Sequence, residues 1–290
     1  MDVPDMKSPK IWFNGEIRDA AGVALSPFDN GWLTGDGCFE TLMAYRGCPF
    51  ALDRHFRRLT GAVGRLGFSA PEQDEIRSAI QLVLQANDLE QEERSRIRIT
   101  GSSGVTIGNS TGNTWTVSAL SAPPCSPSAS VLILPYCRNE KSALSGLKSI
   151  SYGENSLALR DVRNQGADEG VFANSQGHLC EGTSTNVFVI HENGELVTPP
   201  LSSGCLPGVT RELVIELCLK NDIPILEQTA SIDTLRRASA AFLSSSLRGV
   251  QAIHSVDGQS IPMDHQKIVA RLQAAYRDLV RGFTEGFLLP

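Results

Sequence analysis

The sequence predicts a protein of mixed α+β class with two domains, and three observations carry this prediction. Its 290 residues suffice for two modest domains. Residues 1–120 combine hairpin signals with two amphipathic helices, whereas residues 131–290 interleave strands with helices. Residues 121–130 contain prolines among small polar residues, which break both helix and sheet. We therefore predict a smaller N-terminal domain, a linker and a larger C-terminal domain over these three ranges.

The first domain is predicted to begin with two hairpins, followed by two helices. Asn14-Gly15 and Arg46-Gly47 lie where tight hairpin turns are expected. Apolar residues then recur at helical spacing in two segments, and Pro71 suits the first turn of the second helix. SRIRIT and TWTVSAL read as further strands, with a loop expected from Gly101 to Gly112. The two helical stripes are Phe56, Leu59, Val63 and Leu66, and Ile76, Ile80, Val83 and Leu84.

The second domain is predicted to alternate strands with helices. VLILPY reads as a buried strand, and ENSLALRDVRNQGADEG reads as a helix that ends at Gly166. Two strand pairs follow, the second turning at Asn193-Gly194, before the helix GVTRELVIELCLKND and the short strand AAFLSSS. The chain is expected to close on an amphipathic helix. Its apolar face comprises Ile268, Leu272, Tyr276, Leu279 and Phe283.

Composition and charge argue against several classes of protein. The formal net charge of −6 gives no electrostatic reason to expect nucleic acid or an anionic membrane as partner. No apolar run approaches the roughly 20 residues of a membrane span. The N-terminus lacks the apolar core of a secretory signal, so we expect a cytoplasmic protein. The seven cysteines are scattered and contain no C-x-x-C pair, which argues against a disulfide framework or a metal site.

Three segments of the second domain carry reactive or charge-binding groups. Lys148, in LSGLKSISYGEN, offers an amine that becomes nucleophilic in a sheltered pocket or beside another cation, and we expect it to project from a strand end. Glu181, in LCEGTSTNVF, offers a carboxylate. LPGVTREL leads into an amphipathic helix, whose first amides and dipole favour a bound dianion. Taken alone, the lysine and the glutamate could be solvated surface residues, and the glycine-containing loop could be an ordinary helix cap. Only their combination indicates a functional site.

A fourth segment, RHFRRL in the first domain, places His55 and Arg58 one helical turn apart. A planar guanidinium donates two hydrogen bonds at once to a phosphate, which makes Arg58 a candidate phosphate ligand. The alternative is a solvated basic helix face formed with Arg54 and Arg57. His55 is expected to be structural.

Together these segments resemble the class IV aminotransferase family, over a span from Trp12 to about Val256. The family includes branched-chain aminotransferases, D-amino acid aminotransferases and aminodeoxychorismate lyases. The resemblance implies fold type IV, a homodimer or larger assembly, and the cofactor pyridoxal 5′-phosphate at the junction of the domains. It assigns the Schiff base to Lys148. It assigns the contact with the pyridine nitrogen to Glu181, whose carboxylate stabilises the pyridinium and makes the ring an electron sink.

The resemblance also implies further contacts with cofactor and substrate. Tyr152 is expected to hydrogen-bond the phenolic oxygen of the cofactor, and Leu206 is expected to pack on its ring. The implied phosphate ligands are Arg58, Gly208, Val209, Thr210 and Ser246. The implied substrate contacts are Phe39, Arg98, Ser246 and Leu247.

The motifs point to more than one branch of the family. Arg98, in RIRIT, stands where branched-chain enzymes carry an arginine that meets the side-chain carboxylate of glutamate. The transaminases of the family also carry a tyrosine at the position of Tyr152. In contrast, GDGCF and Arg96 fit the lyases, and GSSGVT lacks the R-x-H carboxylate trap of the D-amino acid branch.

We therefore predict an aminotransferase that moves an amino group between an amino acid, branched-chain or D-type, and a 2-oxo acid such as 2-oxoglutarate. Lys148 would shuttle a proton between Cα and the cofactor C4′ as general acid and base. One alternative is an aminodeoxychorismate lyase, which releases pyruvate and 4-aminobenzoate. The other is a catalytically inert binding or scaffold protein, against which the joint presence of Lys148, Glu181, Arg58 and Thr210 argues. Trp32 is expected either to serve a contact between subunits or to pack in a core.

Overall fold

The computed structural model describes residues 8–107, 110–262 and 264–288, which form two compact units. One unit runs to Pro123 and also includes Lys148–Ser151 and residues from Gly286 onward. The other unit contains Pro124–Leu147 and Tyr152–Glu285. Each unit combines a sheet with helices, which confirms the α+β class. None of the described helices has the length and apolar character needed to cross a bilayer.

The first unit is built on a six-stranded antiparallel sheet. Its strands are β1 (Lys10–Phe13), β2 (Glu16–Asp19), β3 (Gly37–Tyr45), β4 (Cys48–Pro49), β5 (Ser95–Ile107) and β6 (Ser110–Ser121). They lie in the order β2-β1-β6-β5-β3-β4. Its helices are α1 (Asn30–Thr34), α2 (Leu52–Leu66) and α3 (Gln73–Ala86).

Local sequence explains the turns and helices of this unit. Both predicted hairpin turns are confirmed, with positive φ at Asn14 (43°) and Arg46 (49°), each followed by a glycine. Helix α2 packs on β3 and helix α3 packs on β1 and β6, because their apolar stripes face the sheet. Helix α2 ends at Leu66, and the φ of 81° at the next residue, Gly67, suits a left-handed cap. The buried stripe residues are Leu59, Val63, Ile76, Ile80, Val83 and Leu84.

The prediction of a loop from Gly101 to Gly112 is wrong for all of the residues in this range that the structure describes. Strand β5 continues to Ile107 and β6 begins at Ser110, so the two form one long hairpin; residues 108–109 lie outside the described residues. Cross-strand pairing satisfies the backbone and overrides the low strand propensity of glycine and serine. Gly104, with φ +74°, lies at a register shift, and Gly101 leaves room for the Trp115 ring.

The second unit is built on a nine-stranded mixed sheet. Its strands are β7 (Ser128–Arg138), β8 (Glu169–Asn174), β9 (Leu179–Gly182), β10 (Asn186–Ile190), β11 (Leu196–Thr198), β12 (Ile225–Glu227), β13 (Ala240–Ser245), β14 (Gly249–Val256) and β15 (Gln259–Ser260). The order is β12-β11-β10-β13-β14-β7-β8-β9, with β15 paired to β14. The pairs β11–β12, β14–β7 and β7–β8 are parallel, and the other pairs are antiparallel.

Four helices accompany this sheet: α4 (Gly153–Asn164), α5 (Val209–Lys220), α6 (Asp233–Arg236) and α7 (Gln266–Leu288). Helix α4 contacts β7 and β8, and α5 contacts β13. Helix α4 ends at Asn164, slightly before the predicted end at Gly166, whose φ of +78° suits a turn that closes a helix. Strand β14, which the sequence analysis did not identify, forms a hairpin with β13. The turn of that hairpin contains Ser246 and Leu247, two of the expected site residues.

Candidate active site

Lys148 lies beside the first residues of β3, although it is covalently flanked by residues of the other unit. Its carbonyl accepts a hydrogen bond from the Phe39 amide at 2.9 Å, and the Ile150 amide donates to Gly37 at 3.0 Å. An isolated bridge joins Ser149 to Cys38. Lys148 therefore belongs to a loop that pairs with β3, and the expectation that it projects from a strand end is wrong. Backbone pairing with β3, which is remote in sequence, fixes its position instead.

Two basic side chains contact the aromatic ring of Phe39 in the first unit. Lys148 Nζ lies 4.2 Å from the ring centroid, and Arg98 Cζ lies 3.8 Å from it. Arg98 reaches this position from β5, where it pairs with Thr41, and its Nε donates to Thr100 Oγ1 at 3.1 Å. Cation–π attraction favours both placements. The structure thus brings together three of the residues expected to act on substrate: Lys148, Phe39 and Arg98.

Arg58 belongs to a buried ionic cluster with Glu40 and His55. Its Nε donates to Glu40 Oε1 at 2.7 Å and its Nη2 to Glu40 Oε2 at 2.6 Å. His55 Nδ1 lies 2.7 Å from the same Oε2. Glu40 and His55 are each 1% exposed. Helix α2 presents both partners to β3 because residues three apart lie on the same helix face.

Burial and charge shift the pKa values of this cluster in definite directions. Burial alone raises the pKa of Glu40, but the charge and hydrogen bonds of Arg58, together with His55, outweigh it and lower this pKa to about 2. Burial is the largest cause of the lowered pKa of His55; Glu40 opposes it, and the charges of Arg58 and Lys148 add to it. Within the first unit, the charge of Lys148 thus acts on His55 as the smallest of these contributions.

Glu181 forms an ion pair with Arg138 that the sequence did not indicate. Its Oε1 lies 3.1 Å from Nε of Arg138, the last residue of β7, and its Oε2 accepts from the Leu206 amide at 2.8 Å. Arg138 is held in turn by Glu154 and by Phe172, whose ring centroid lies 4.3 Å from its Cζ. The Glu181 side chain is 12% exposed. Its carboxylate is thus charge-compensated on one side and fixed in position.

Residues 206–208 lead directly into helix α5, whose first two residues are Val209 and Thr210. Gly208 is the N-cap residue and the helix has no side-chain cap, so its first-turn amides remain oriented outward along the axis. A Cβ at Gly208 would collide with Asn186 Oδ1, and Asn186 Nδ2 donates to the Leu206 carbonyl at 2.9 Å. Thr210 is buried. Asn186 therefore braces the loop from Leu206 to Gly208.

Tyr152, Ser246 and Leu247 are half-buried in the second unit. The Tyr152 hydroxyl donates to the Thr183 carbonyl at 3.2 Å, and Asn155 Nδ2 donates to the same oxygen at 2.7 Å. Ser246 and Leu247 lie in the turn between β13 and β14. This turn is tied by a hydrogen bond from the Arg248 amide to Ser245 Oγ at 3.3 Å.

This set of groups fits pyridoxal phosphate chemically. Helix-start amides without a side-chain cap, at a glycine whose neighbour excludes a Cβ, suit a phosphate dianion. A fixed carboxylate at Glu181 suits a protonated ring nitrogen, and a half-buried amine at Lys148 suits imine formation.

A model of the amino-transferase class IV family matches residues 37–256 of the sequence, which is most of its length. This chain belongs to the class IV aminotransferase family. It is a pyridoxal phosphate-dependent aminotransferase or lyase of that class.

Some relatives of this class IV enzyme are named as lyases and others as aminotransferases. It is 28% identical to the aminodeoxychorismate lyase of Bacillus subtilis (strain 168) over 93% of its own length and 94% of the relative. It is also 28% identical to the branched-chain-amino-acid aminotransferase of Pseudomonas aeruginosa, over 95% and 94%. A crystal structure of the branched-chain aminotransferase of Thermoproteus uzoniensis with norvaline shares 25% identity and superposes with a TM-score of 0.87, covering 96% and 97%. Equal identity to a lyase and an aminotransferase leaves the branch open.

The class IV enzyme also contains a buried network that the sequence analysis missed. Glu169, fully buried at the start of β8, accepts from the Thr183 amide at 3.0 Å, from the Thr183 hydroxyl, and from Ser184 Oγ at 2.8 Å. Arg248 Nη2 lies 3.1 Å from its Oε2. The network joins the loop after Glu181 to the turn that contains Ser246. Neither Glu169 nor Arg138 stands in a motif, so only their tertiary contacts single them out.

Proposed function

We propose that this class IV enzyme is an aminotransferase that passes an amino group from an amino acid, branched-chain or D-type, to a 2-oxo acid such as 2-oxoglutarate. The observation that carries this proposal is the pair of cations at Phe39. Arg98 Cζ lies 3.8 Å and Lys148 Nζ 4.2 Å from the centroid of the same ring, so one aromatic side chain contacts both the guanidinium and the amine. A dicarboxylate offers Arg98 a second negative charge, which favours glutamate and 2-oxoglutarate as one substrate pair.

Each step of the proposed reaction has a residue of this chain assigned to it. When bound, pyridoxal phosphate would supply a carbonyl carbon for an amine and a ring that withdraws electrons from the substrate Cα. Lys148 Nζ would accept the proton from the substrate Cα as general base and would deliver it to the cofactor C4′ as general acid. Glu181, held by Arg138 and the Leu206 amide, keeps a negative charge available for a ring nitrogen.

The remaining expected residues are proposed to bind rather than to react. We assign the phosphate to Arg58, the backbone of Gly208 and Val209, the hydroxyl of Thr210, and Ser246. Tyr152 is assigned to the phenolic oxygen, and Leu206 to the face of the ring. Phe39 and Leu247 are assigned to the substrate. The support for these assignments is the placement of a half-buried turn, an uncapped helix start and a fixed arginine side chain.

The second candidate is the aminodeoxychorismate lyase reaction, which the Bacillus subtilis relative favours. A paired assay of the purified enzyme separates the two. One arm contains amino donors with 2-oxoglutarate, and the other contains aminodeoxychorismate alone. Release of pyruvate and 4-aminobenzoate, without transamination of any common amino acid, would replace the aminotransferase by the lyase.

Arg98→Leu tests the substrate assignment more directly. Losing a charge-assisted contact costs about 1.5–3 kcal/mol, so the KM for 2-oxoglutarate should rise roughly ten- to hundredfold. The KM for an apolar 2-oxo acid should change little. Arg18→Leu, in an exposed pair with Glu16, is the control and should leave both values unchanged. Equal effects on the two oxo acids would contradict a role for Arg98 in meeting the distal carboxylate.

We also propose a homodimer. Four large apolar side chains between residues 25 and 33 are exposed in the first unit: Leu25 (54%), Phe28 (66%), Trp32 (74%) and Leu33 (56%). Their exposure removes the alternative of a core role for Trp32 within this chain. Clustered exposed apolar residues commonly mark protein interfaces. Trp32→Ser should then weaken the dimer in sedimentation equilibrium, and a monomeric wild-type enzyme would contradict the proposal.

A further inference from the structure

Glu40 is a buried acid that the proposed chemistry does not use. It lies on β3 next to Phe39, is 1% exposed, and faces helix α2. A carboxylate at such a position loses its hydration and is stable only with strong donors around it. Arg58 supplies two of those donors and His55 supplies the third contact. Packing at this position does not require a carboxylate, since an apolar side chain would fill the same space.

The geometry of the pair fixes the direction of the arginine. Glu40 engages Arg58 through Nε at 2.7 Å and Nη2 at 2.6 Å, which is a two-point contact along one edge of the guanidinium. Two points of attachment define the plane of the group as well as its position. The other N–H groups of the guanidinium lie on edges that point away from Glu40, because the five donors form a rigid planar fork.

His55 reinforces this arrangement from the same helix. Its Nδ1 lies 2.7 Å from Glu40 Oε2, the oxygen that also accepts from Arg58 Nη2. Two side chains of helix α2 thereby hold Glu40, which restricts the rotation of its carboxylate. The side chain of Arg58 is 12% exposed, so it is the member of the cluster that retains contact with its surroundings.

We propose that Glu40 is a positioning residue for the cofactor phosphate, acting through Arg58 and steadied by His55. The inference rests on the proposed function, in which Arg58 binds that phosphate. Glu40 holds the guanidinium in a single plane before the cofactor arrives, so the ordering of a long side chain is already complete when phosphate binds. His55 takes no part in proton transfer.

The affinities for pyridoxal 5′-phosphate and for pyridoxal, which lacks the phosphate, are compared. This comparison distinguishes a role of Glu40 in phosphate binding from a role in supporting the fold. The full-length protein is stripped of cofactor by dialysis, and both ligands are titrated by absorbance and by fluorescence. Glu40→Gln should raise the Kd for pyridoxal phosphate about tenfold and leave the Kd for pyridoxal within about twofold. Glutamine keeps one acceptor but turns an N–H₂ group toward Arg58, which breaks the two-point contact. Glu16→Gln, in an exposed ion pair of the same unit, is the control and should change neither constant.

Arg58→Ala and Glu40→Gln together separate the positioning role of Glu40 from the phosphate-binding role of Arg58. If Arg58→Ala weakens pyridoxal phosphate selectively and Glu40→Gln does not, the positioning role is overturned while the phosphate role of Arg58 stands. If Arg58→Ala has no selective effect, both are overturned. If Glu40→Gln weakens both ligands equally, Glu40 only supports the fold.

Should Glu40→Gln fail to fold, Glu40→Asp provides the test. It keeps the buried charge beside Arg58 and His55 but shortens the side chain by one methylene, so the guanidinium is drawn back. A selective loss of pyridoxal phosphate affinity supports the proposal, and an unchanged preference over pyridoxal overturns it.

Discussion

Replacing the fully buried Glu169 by glutamine should destabilise the second unit by about 3 kcal/mol. Breaking a buried ion pair by removing one partner typically costs about 3–5 kcal/mol. Two features place this case near the lower limit. The Arg248 side chain is 16% exposed and keeps its hydrogen bond to Gln251 Oε1 at 2.8 Å. Glutamine also keeps an acceptor for the Thr183 amide, which donates to Glu169 Oε1 at 3.0 Å in the wild type.

Urea unfolding followed by far-ultraviolet circular dichroism measures this loss. All three tryptophans, Trp12, Trp32 and Trp115, lie in the first unit, so tryptophan fluorescence recorded in parallel reports that unit alone. Dichroism should show a transition at lower urea in Glu169→Gln. The matched control is Asp278→Asn, whose pair with Arg281 is 66–69% exposed and should contribute little. Equal shifts in the two variants would refute the claim that burial makes the Glu169–Arg248 pair important.

Three further predictions concern the amine, the carboxylate and acid stability. Lys148→Ala should abolish turnover and the borohydride-reducible imine; peptide mapping that finds the reduced label elsewhere in the active wild type would contradict the assignment. Glu181→Gln should retain cofactor but slow proton transfer strongly, because a neutral amide does not stabilise a pyridinium; wild-type single-turnover rates in the variant would leave Glu181 a structural role only. Acid should weaken the fold in two stages. His55 has a lowered pKa, so the unfolded chain binds the extra proton and stability falls as pH drops below about 6.5. Glu40 has a pKa lowered from 4.5 to about 2, so its contribution is complete above pH 4.5 and is lost as pH falls toward 2. Urea midpoints measured from pH 8 to pH 3 check both stages, and a midpoint that stays constant below pH 6.5 would contradict them.

The sequence by itself determined the local structure and the family. Asn14-Gly15 and Arg46-Gly47 predict hairpin turns because they accommodate positive φ, and both occur. The stripes of α2 and α3 predict which faces are buried, since helical spacing alone sets that pattern. The segments around Lys148, Glu181 and Gly208 sufficed to indicate the class IV family, which the match over residues 37–256 shows.

Tertiary structure decided which distant residues meet. Lys148 pairs with the start of β3, more than a hundred residues earlier in the chain. Glu40 meets Arg58, Arg138 meets Glu181, and Glu169 meets Arg248. A buried charge requires a partner, because burial removes the water that would otherwise solvate it. The identity of the partner depends on strand order and on how the helices pack, which no local pattern encodes. The Gly101–Gly112 segment makes the same point for the backbone, because cross-strand hydrogen bonds override its local preference for a loop.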